Sequence, residues 1–197
     1  MTIEHIEQDD QGEPDRPGEQ SASDDWRGRL PSPSERRLAV RVTPDAVRQL
    51  RGGSPWLFDR SITSVNHDGA PGDVAVVFDD DRKFVAIGLW DPASPIRVKV
   101  LHVGAPTTID HDWWRSRLAA ALARRGSLAG DDSTTAYRWV HGENDDLPGL
   151  VVDRYEATLV VKLYSEAWFA HMATVVDVLQ ELSSPQRAVV RLARTVA

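Results

Sequence analysis

The chain has 197 residues, room for one or two compact domains, and a formal net charge of −7. It contains no cysteine, which excludes disulfides, thiolate metal sites and a thiol nucleophile. No apolar run approaches the roughly 20 residues of a membrane span, and the acidic amino terminus is unlike a signal or transit peptide, so a cytoplasmic location without a membrane partner is expected.

The first part of the chain differs in composition from the rest. Residues 1–30 contain nine acidic and three basic residues, a net charge of −6, which leaves −1 for the remainder. Polar, acidic segments cannot bury enough apolar surface to offset chain entropy, so residues 1–37 are expected to form a disordered tail. The nearly neutral remainder can still present a basic face to a nucleic acid.

Short β-type segments follow in residues 38–104. The apolar or alternating runs, separated by turn-forming residues, are 38–42, 56–58, 61–65, 73–78, 84–90 and 96–101. Two of them, 73–78 and 84–90, flank a polar Asp-rich turn and predict a β-hairpin. In the last run Arg97 and Lys99 share one strand face, which is expected to be solvent-exposed and positive. Several short strands indicate a small β-barrel.

The periodicity changes to that of a helix after residue 104. Apolar positions follow Asp110 at helical spacing and end before Gly126, which predicts a linking helix within residues 105–136. Predicted strands and a second helix follow, at 138–140, 150–155, 158–164, 168–182 (the helix) and 187–192. Strand, strand, helix and strand predict a central α+β domain over residues 137–197, and the fold class of the chain is α+β.

Two histidines have acidic neighbours that are candidates for a catalytic or metal site. An acidic residue flanks His111 on each side, but at a helix start these acids serve capping and the helix dipole more simply than metal binding. His141 lies near Glu143 and Asp145 in a turn-rich loop, where shaping of the loop competes with acid–base chemistry. The sequence therefore predicts no metal site and no catalytic residue.

Three segments together resemble a known family. They are residues 53–58 (GSPWLF), 88–97 (GLWDPASPIR) and 141–155 (HGENDDLPGLVVDRY). They are similar to the S-adenosylmethionine-dependent large-subunit ribosomal RNA methyltransferases of the methyltransferase I type, which make 5-methylcytosine. The resemblance covers residues 38–197. It implies a PUA domain that binds RNA, a central domain, and a C-terminal methyltransferase domain absent from this chain.

The resemblance also implies ribosomal RNA of the large subunit as the partner. A PUA domain binds RNA through charge contacts and aromatic stacking. The candidate RNA contacts are Arg51, Trp56, Arg60, Arg97 and Lys99. Core packing is the alternative for Trp56, and a merely solvated strand face is the alternative for Arg97 and Lys99.

A second set of residues is expected to face the missing catalytic domain. It consists of Leu147, Pro148, Gly149, Asp153 and Arg154. Asp153 and Arg154 are neighbours in a strand and point to opposite faces. The alternative for Asp153 is a buried carboxylate that satisfies backbone N–H groups of the turn.

The chain departs from the family pattern at three positions. Ser54 stands where the pattern commonly has histidine, which puts any imidazole contribution there in doubt. Asp146 and Glu156 stand where glycine is usual. Aspartate tolerates a left-handed conformation less easily than glycine, and the turn at Glu156 is expected to be looser.

The chain is expected to be inactive by itself. Carbon 5 of cytosine is a weak nucleophile, and enzymes of this type first add a cysteine thiolate to carbon 6. This chain has no cysteine and no Gly-rich loop for S-adenosylmethionine, the cofactor of the full-length family. The end after the strand at 187–192 favours a truncated protein, because a free edge strand is a liability.

Two other functions remain open for such a chain. One is a stand-alone RNA-binding or ribosome-assembly module. The other is a protein-interaction fragment that needs a methyltransferase domain in trans.

Overall fold

A computed structural model describes residues 24–193, which form two β-sheets with their helices. The first part contains β1 (Leu38–Val42), α1 (Pro44–Arg51), β2 (Trp56–Phe58), β3 (Ile62–Val65), β4 (Val74–Phe78), β5 (Phe84–Trp90) and β6 (Ile96–Val103). The second contains α2 (His111–Ala123), α3 (Gly126–Ala129), β7 (Ala136–His141), β8 (Leu150–Tyr155), β9 (Thr158–Leu163), α4 (Met172–Ser183) and β10 (Arg187–Leu192). Short 3-10 helices lie at Asp24–Arg29, Asp59–Ser61, Gly142–Asp145 and Glu166–His171.

The first sheet curls into a barrel. Its strand order is β2-β6-β5-β4-β1-β3, antiparallel except where β1 runs parallel to β4. The edge strands β2 and β3 are joined only by residues 59–61. Since a residue spans at most about 3.5 Å of chain, this short connection keeps the end of β2 close to the start of β3. The predicted barrel is confirmed, and so is the β4–β5 hairpin.

The barrel interior is filled by aliphatic side chains that alternate along the strands. On β1, Leu38, Val40 and Val42 are all buried, as period-two patterning requires. Helix α1 covers one end of this core and begins at Thr43, whose side chain accepts a hydrogen bond from the Ala46 N–H at 3.3 Å. This cap explains why the chain turns into a helix directly after β1.

The second sheet has the order β10-β9-β8-β7. Strands β7, β8 and β9 are antiparallel neighbours, while β10 returns through α4 to lie parallel to β9. Helices α2 and α4 share a core with one face of this sheet, built around the indole rings of Trp114, Trp139 and Trp168. The predicted α+β layer is confirmed. No helix within residues 24–193 is long and apolar enough to cross a membrane.

The structure differs from the sequence prediction at the end of the tail and at the linking helix. Residues 1–23 of the predicted tail lie outside the described residues. Order begins before Leu38, because Leu30 packs against the second core and the Ser34 N–H donates to Asp73 at 2.9 Å. Helix α2, predicted as a linker, contributes Trp114 and Leu118 to the second core. The domain boundaries themselves stay predictions.

Close contacts join the barrel to the second part. His171 is buried, and its Nε2–H donates to the carbonyl of Gly72 at 2.7 Å. Gly72 has φ 90°, and a Cβ there would lie 2.6 Å from the Cβ of Ala170 and 2.8 Å from the carbonyl oxygen of Ala167. Only glycine fits this approach.

Two non-glycine residues take left-handed backbone angles at the departures from the family pattern. Asp146 has φ 59° and Glu156 has φ 51°. A left-handed conformation brings the Cβ of an L-residue too close to the following carbonyl oxygen, at a cost of roughly 1–2 kcal/mol. Both turns therefore keep a conformation suited to glycine without having glycine.

Glu156→Gly should stabilise the protein. Glycine removes the steric cost at this φ but loses about 0.5–1 kcal/mol through the greater freedom of the unfolded chain. The net gain in the free energy of unfolding is expected to be up to about 1 kcal/mol, measured by urea denaturation. Glu156→Ala is the matched control, because it keeps the Cβ and should bring no gain. Equal stability of the two variants would contradict the argument.

The stability of the protein should fall in mild acid because of His171. Burial lowers the pKa of His171, and the hydrogen bond to Gly72 and the charge of Asp73 oppose this only in part. Between the lowered pKa and the ordinary value of about 6.5, the unfolded chain binds more protons, so the free energy of unfolding drops as the pH falls below that value.

His171→Gln keeps a donor near Gly72 and removes the titration. Urea denaturation of both proteins at neutral and mildly acidic pH should show a steeper loss for the wild type. Parallel pH profiles would show that His171 does not titrate differently on folding.

Candidate nucleic-acid interface

Trp56 lies at the junction of the two parts. On β2 the alternate residue Leu57 points into the barrel core, so Trp56 points outward, and it is 38% exposed. Its Nε1–H donates to the Glu143 carboxylate at 3.3 Å, across from the barrel to the second part. The alternative of core packing therefore does not hold for this indole. Its ring is available to stack on a base.

A cleft of about 390 Å³ opens next to this junction. Its lining comes from both parts and consists of Gly53, Ser54, Pro55, Val100, Leu101, His102, Val103, Arg117, Glu143 and Asp146. Small-molecule pockets in proteins measure about 300–1,000 Å³. The cleft combines a strand edge with donors and acceptors, which suits a flat polar group such as a nucleobase.

Arg117 is the cation of this cleft. Its guanidinium lies 5.1 Å from the ring centre of Trp113, donates to His102 Nδ1 at 3.2 Å and lies 3.7 Å from the Asp146 carboxylate. These contacts hold the planar group at the wall from three sides. Sequence reasoning missed Arg117, because only the tertiary fold brings residues 102, 117 and 146 together.

Three of the predicted basic residues lie on the barrel surface. Arg51 ends α1, exposed and 3.7 Å from the Asp79 carboxylate. Arg60 is exposed beside the Phe58 ring at 5.4 Å. Arg97 is half-buried over the Trp90 ring at 5.6 Å, and its guanidinium donates to the carbonyl of Pro92. Arg97 also lies 3.8 Å from the carboxylate of Asp59, the chain neighbour of Arg60, whereas Arg51 pairs with Asp79 after β4.

The expected exposed basic face is wrong for Lys99. Lys99 is only 6% exposed, and its ammonium donates to Asp91 at 3.0 Å, to Ser94 at 3.3 Å and to the carbonyl of Ile96 at 2.7 Å. Burial lowers its pKa below the ordinary value, and the hydrogen bond to Asp91 opposes the shift. All three donors of the ammonium are used inside the protein, so Lys99 holds the structure together.

The residues expected to face a catalytic domain divide into two groups. Leu147 and Pro148 are buried within this chain, and the carbonyl of Pro148 accepts a hydrogen bond from the Trp168 indole at 2.9 Å, so these two do not form a free interface. Asp153 pairs with Arg138 at 2.7 Å across the strand pair β7–β8. The ion pair occupies the carboxylate that the alternative interpretation had assigned to backbone N–H groups of the turn.

The other two residues of that set remain partly accessible. They are Gly149 and Arg154. The Nε–H of Arg154 donates to the carbonyl of Glu156 at 2.8 Å. Their role at an interface stays a prediction.

Asp145 organises the loop that carries Glu143. Its buried carboxylate accepts hydrogen bonds from Arg124 at 2.9 Å, from Arg125 at 2.7 Å and from the His141 N–H at 2.6 Å. Burial acts to raise the pKa of Asp145, but these hydrogen bonds outweigh burial and lower it. The predicted loop-shaping role is confirmed for Asp145.

The acids around His111 serve the helix start. The Asp110 side chain caps α2 through the Trp113 N–H at 2.9 Å, and His111 Nε2 lies 3.0 Å from Glu181. Within residues 24–193 no group of three or more His, Asp or Glu side chains is arranged to hold a metal ion.

The barrel corresponds to a known domain type. A family described as "PUA-like domain" matches residues 40–102, which run from β1 through most of β6. The chain therefore contains a PUA-like domain.

Two curated relatives extend the match beyond the barrel. The "Ribosomal RNA large subunit methyltransferase" of Deinococcus radiodurans is 45% identical over 171 residues, which cover 85% of this chain and 42% of that protein. The "Ribosomal RNA large subunit methyltransferase I" of Shewanella frigidimarina is 33% identical over 144 residues, 72% of this chain and 36% of that protein. The chain is homologous to large-subunit ribosomal RNA methyltransferases and spans about two fifths of the length of these relatives.

A solved structure shows the same fold. A putative SAM-dependent methyltransferase from Streptococcus mutans superimposes with a TM-score of 0.69, over 80% of this chain and 41% of that chain. Its sequence identity of 18% limits this likeness to the fold.

Lys99→Met should destabilise the protein strongly. It removes one partner of a buried ion pair, which typically costs about 3–5 kcal/mol because the remaining charge is left uncompensated. The control is Lys83→Met, which removes a similar but exposed pair with Asp81 and should change stability little. Urea denaturation compares the two. A loss for Lys99→Met as small as that for Lys83→Met would show that the buried pair is not needed.

Proposed function

We propose that these residues hold large-subunit ribosomal RNA in position for methylation, and that a domain outside the 197 residues transfers the methyl group. The observation that carries the proposal is the cleft between the PUA-like barrel and the second part, with Arg117 in its wall and with Trp56 hydrogen-bonded to its lining residue Glu143. A single-stranded base can stack on the exposed indole while a guanidinium meets its polar edge or phosphate.

The barrel cations extend this contact along the RNA backbone. Arg51, Arg60 and Arg97 lie on the barrel surface, where phosphate contacts set affinity and register without reading sequence. The PUA-like domain of this chain and its similarity to two large-subunit ribosomal RNA methyltransferases support the same partner. We assign positioning to these residues and no chemical step.

We further propose that the methylated position is carbon 5 of cytosine. That reaction needs a cysteine nucleophile, and this chain has none. The nucleophile and the S-adenosylmethionine site would then belong to the other domain, in the same polypeptide or in trans. Gly149 and Arg154 are the residues that we propose to face it.

RNA binding by the purified chain tests the proposal. A filter-binding titration with a fragment of large-subunit ribosomal RNA should show affinity that falls with salt, with a slope of about −0.7 per phosphate contact for single strands. Trp56→Ala should weaken binding about 5- to 100-fold and Trp56→Phe much less, because stacking on an aromatic ring contributes about 1–3 kcal/mol per base. Arg117→Gln should weaken binding and reduce the salt slope.

Arg48→Gln is the matched control for lost charge. Arg48 is exposed on α1 and pairs with Asp45, and it does not line the cleft. If the chain binds no RNA, or binds it with an affinity that does not depend on salt, the proposal is contradicted and a protein-interaction fragment is favoured. Methyl transfer to RNA by the purified chain would contradict the assigned division of labour.

A further inference from the structure

One face of the second sheet carries no helix from residues 24–193. Leu150, Val152 and Val161 lie in the core with α2 and α4, so the strand register places the alternate residues on the opposite side. We call that side the open face. Its charged and aromatic residues are Arg138 on β7, Tyr155 on β8, Lys162 and Tyr164 on and just after β9, and Arg187 and Arg191 on β10.

The open face is basic, although the chain as a whole is acidic. Its one carboxylate among the strand residues, Asp153, is paired with Arg138. Lys162, Arg187 and Arg191 form no salt bridge with any residue in the described part of the chain. Three uncompensated cations on a flat sheet match the regular negative charge of a nucleic-acid backbone.

Two tyrosines bracket these cations. Tyr155 is 52% exposed and Tyr164 is 47% exposed, and the Lys162 ammonium lies 4.8 Å from the Tyr164 ring. The strand register places Tyr155 two residues along β8 from Asp153, whose hydrogen bond is the main cause that raises the pKa of Arg138. Exposed aromatic rings among cations are stacking platforms for unpaired bases.

The open face leads toward the barrel. Tyr164 lines a shallow cleft of about 360 Å³ together with Ala93, Ser94 and Pro95 of the β5–β6 loop. The exposed aliphatic surface is small here, since within residues 24–193 Val189 is the one exposed aliphatic side chain larger than alanine on this face. Protein interfaces have apolar centres depleted in lysine, so the composition favours RNA over a protein domain.

From these observations we infer that the open face is a second RNA-binding surface, which takes a single-stranded segment of the RNA held by the barrel. This inference rests on the proposed function. The bases stack on Tyr155 and Tyr164, and the phosphates contact Lys162, Arg187 and Arg191.

The experiment is a fluorescence-anisotropy titration of the full chain with a labelled single-stranded oligoribonucleotide of mixed sequence. Tyr155→Ala and Tyr164→Ala should each weaken binding about 5- to 100-fold, and Tyr155→Phe and Tyr164→Phe should restore it, because the ring provides the stacking. Arg191→Gln should reduce the salt slope by about 0.7. Arg115→Gln, which removes an exposed cation from the helix side of the same part, is the control and should leave binding unchanged.

The outcomes separate this inference from the proposed function. If Trp56→Ala weakens binding while all open-face variants bind like the wild type, the proposed function stands and the open face has another occupant, such as a protein domain. If the wild-type chain shows no salt-dependent binding, both fall. Urea denaturation of each variant must match the wild type, and weakened binding that Phe does not restore would also overturn the stacking role.

Discussion

A buried ion pair of the barrel also accepts a hydrogen bond from the second part of the molecule. The Asp91 carboxylate follows β5 and accepts hydrogen bonds from Lys99 on β6 at 3.0 Å and from Ser165 of the second part at 2.6 Å. All three residues are buried. The cation lies within the barrel, so the link between the two parts is the buried hydrogen bond from Ser165, whose loss would leave polar groups unsatisfied. The cleft depends on that arrangement, since its walls come from both parts.

The strands and their pairing within each part follow from local patterns. The β4–β5 and β8–β9 hairpins join runs that are adjacent in the chain, and α1 and α2 begin at the polar residues Thr43 and Asp110. Periodicity of two also correctly placed Arg97 and Lys99 on the same strand. It does not say what covers that strand. Lys99 is buried because Asp91 and the neighbouring loop enclose it, a fact of tertiary structure.

The candidate site was only partly predictable for the same reason. Trp56 could be predicted as a candidate from the sequence, because an aromatic residue on a short strand either packs in the core or contacts a ligand. The buried position of Leu57, its neighbour in the strand, shows that Trp56 points outward. Arg117 gave no local signal, since a single arginine on an amphipathic helix normally faces water. Its place in the cleft follows from its hydrogen bond of 3.2 Å to His102, which lies on a strand of the barrel.

The three segments that carry the family resemblance meet at the junction of the two parts. Residues 53–58 supply Trp56, residues 88–97 supply Asp91, and residues 141–155 supply Glu143 and Asp146. Asp91 serves the barrel through Lys99 and joins the second part through Ser165, while Glu143 accepts the hydrogen bond of Trp56 across the junction. Their common location is explained if the proposed function requires the two parts to keep a fixed relative position. A base stacked on Trp56 can be presented to a separate active site only while this junction is rigid, because a displacement of about 1 Å is enough to reduce catalysis strongly.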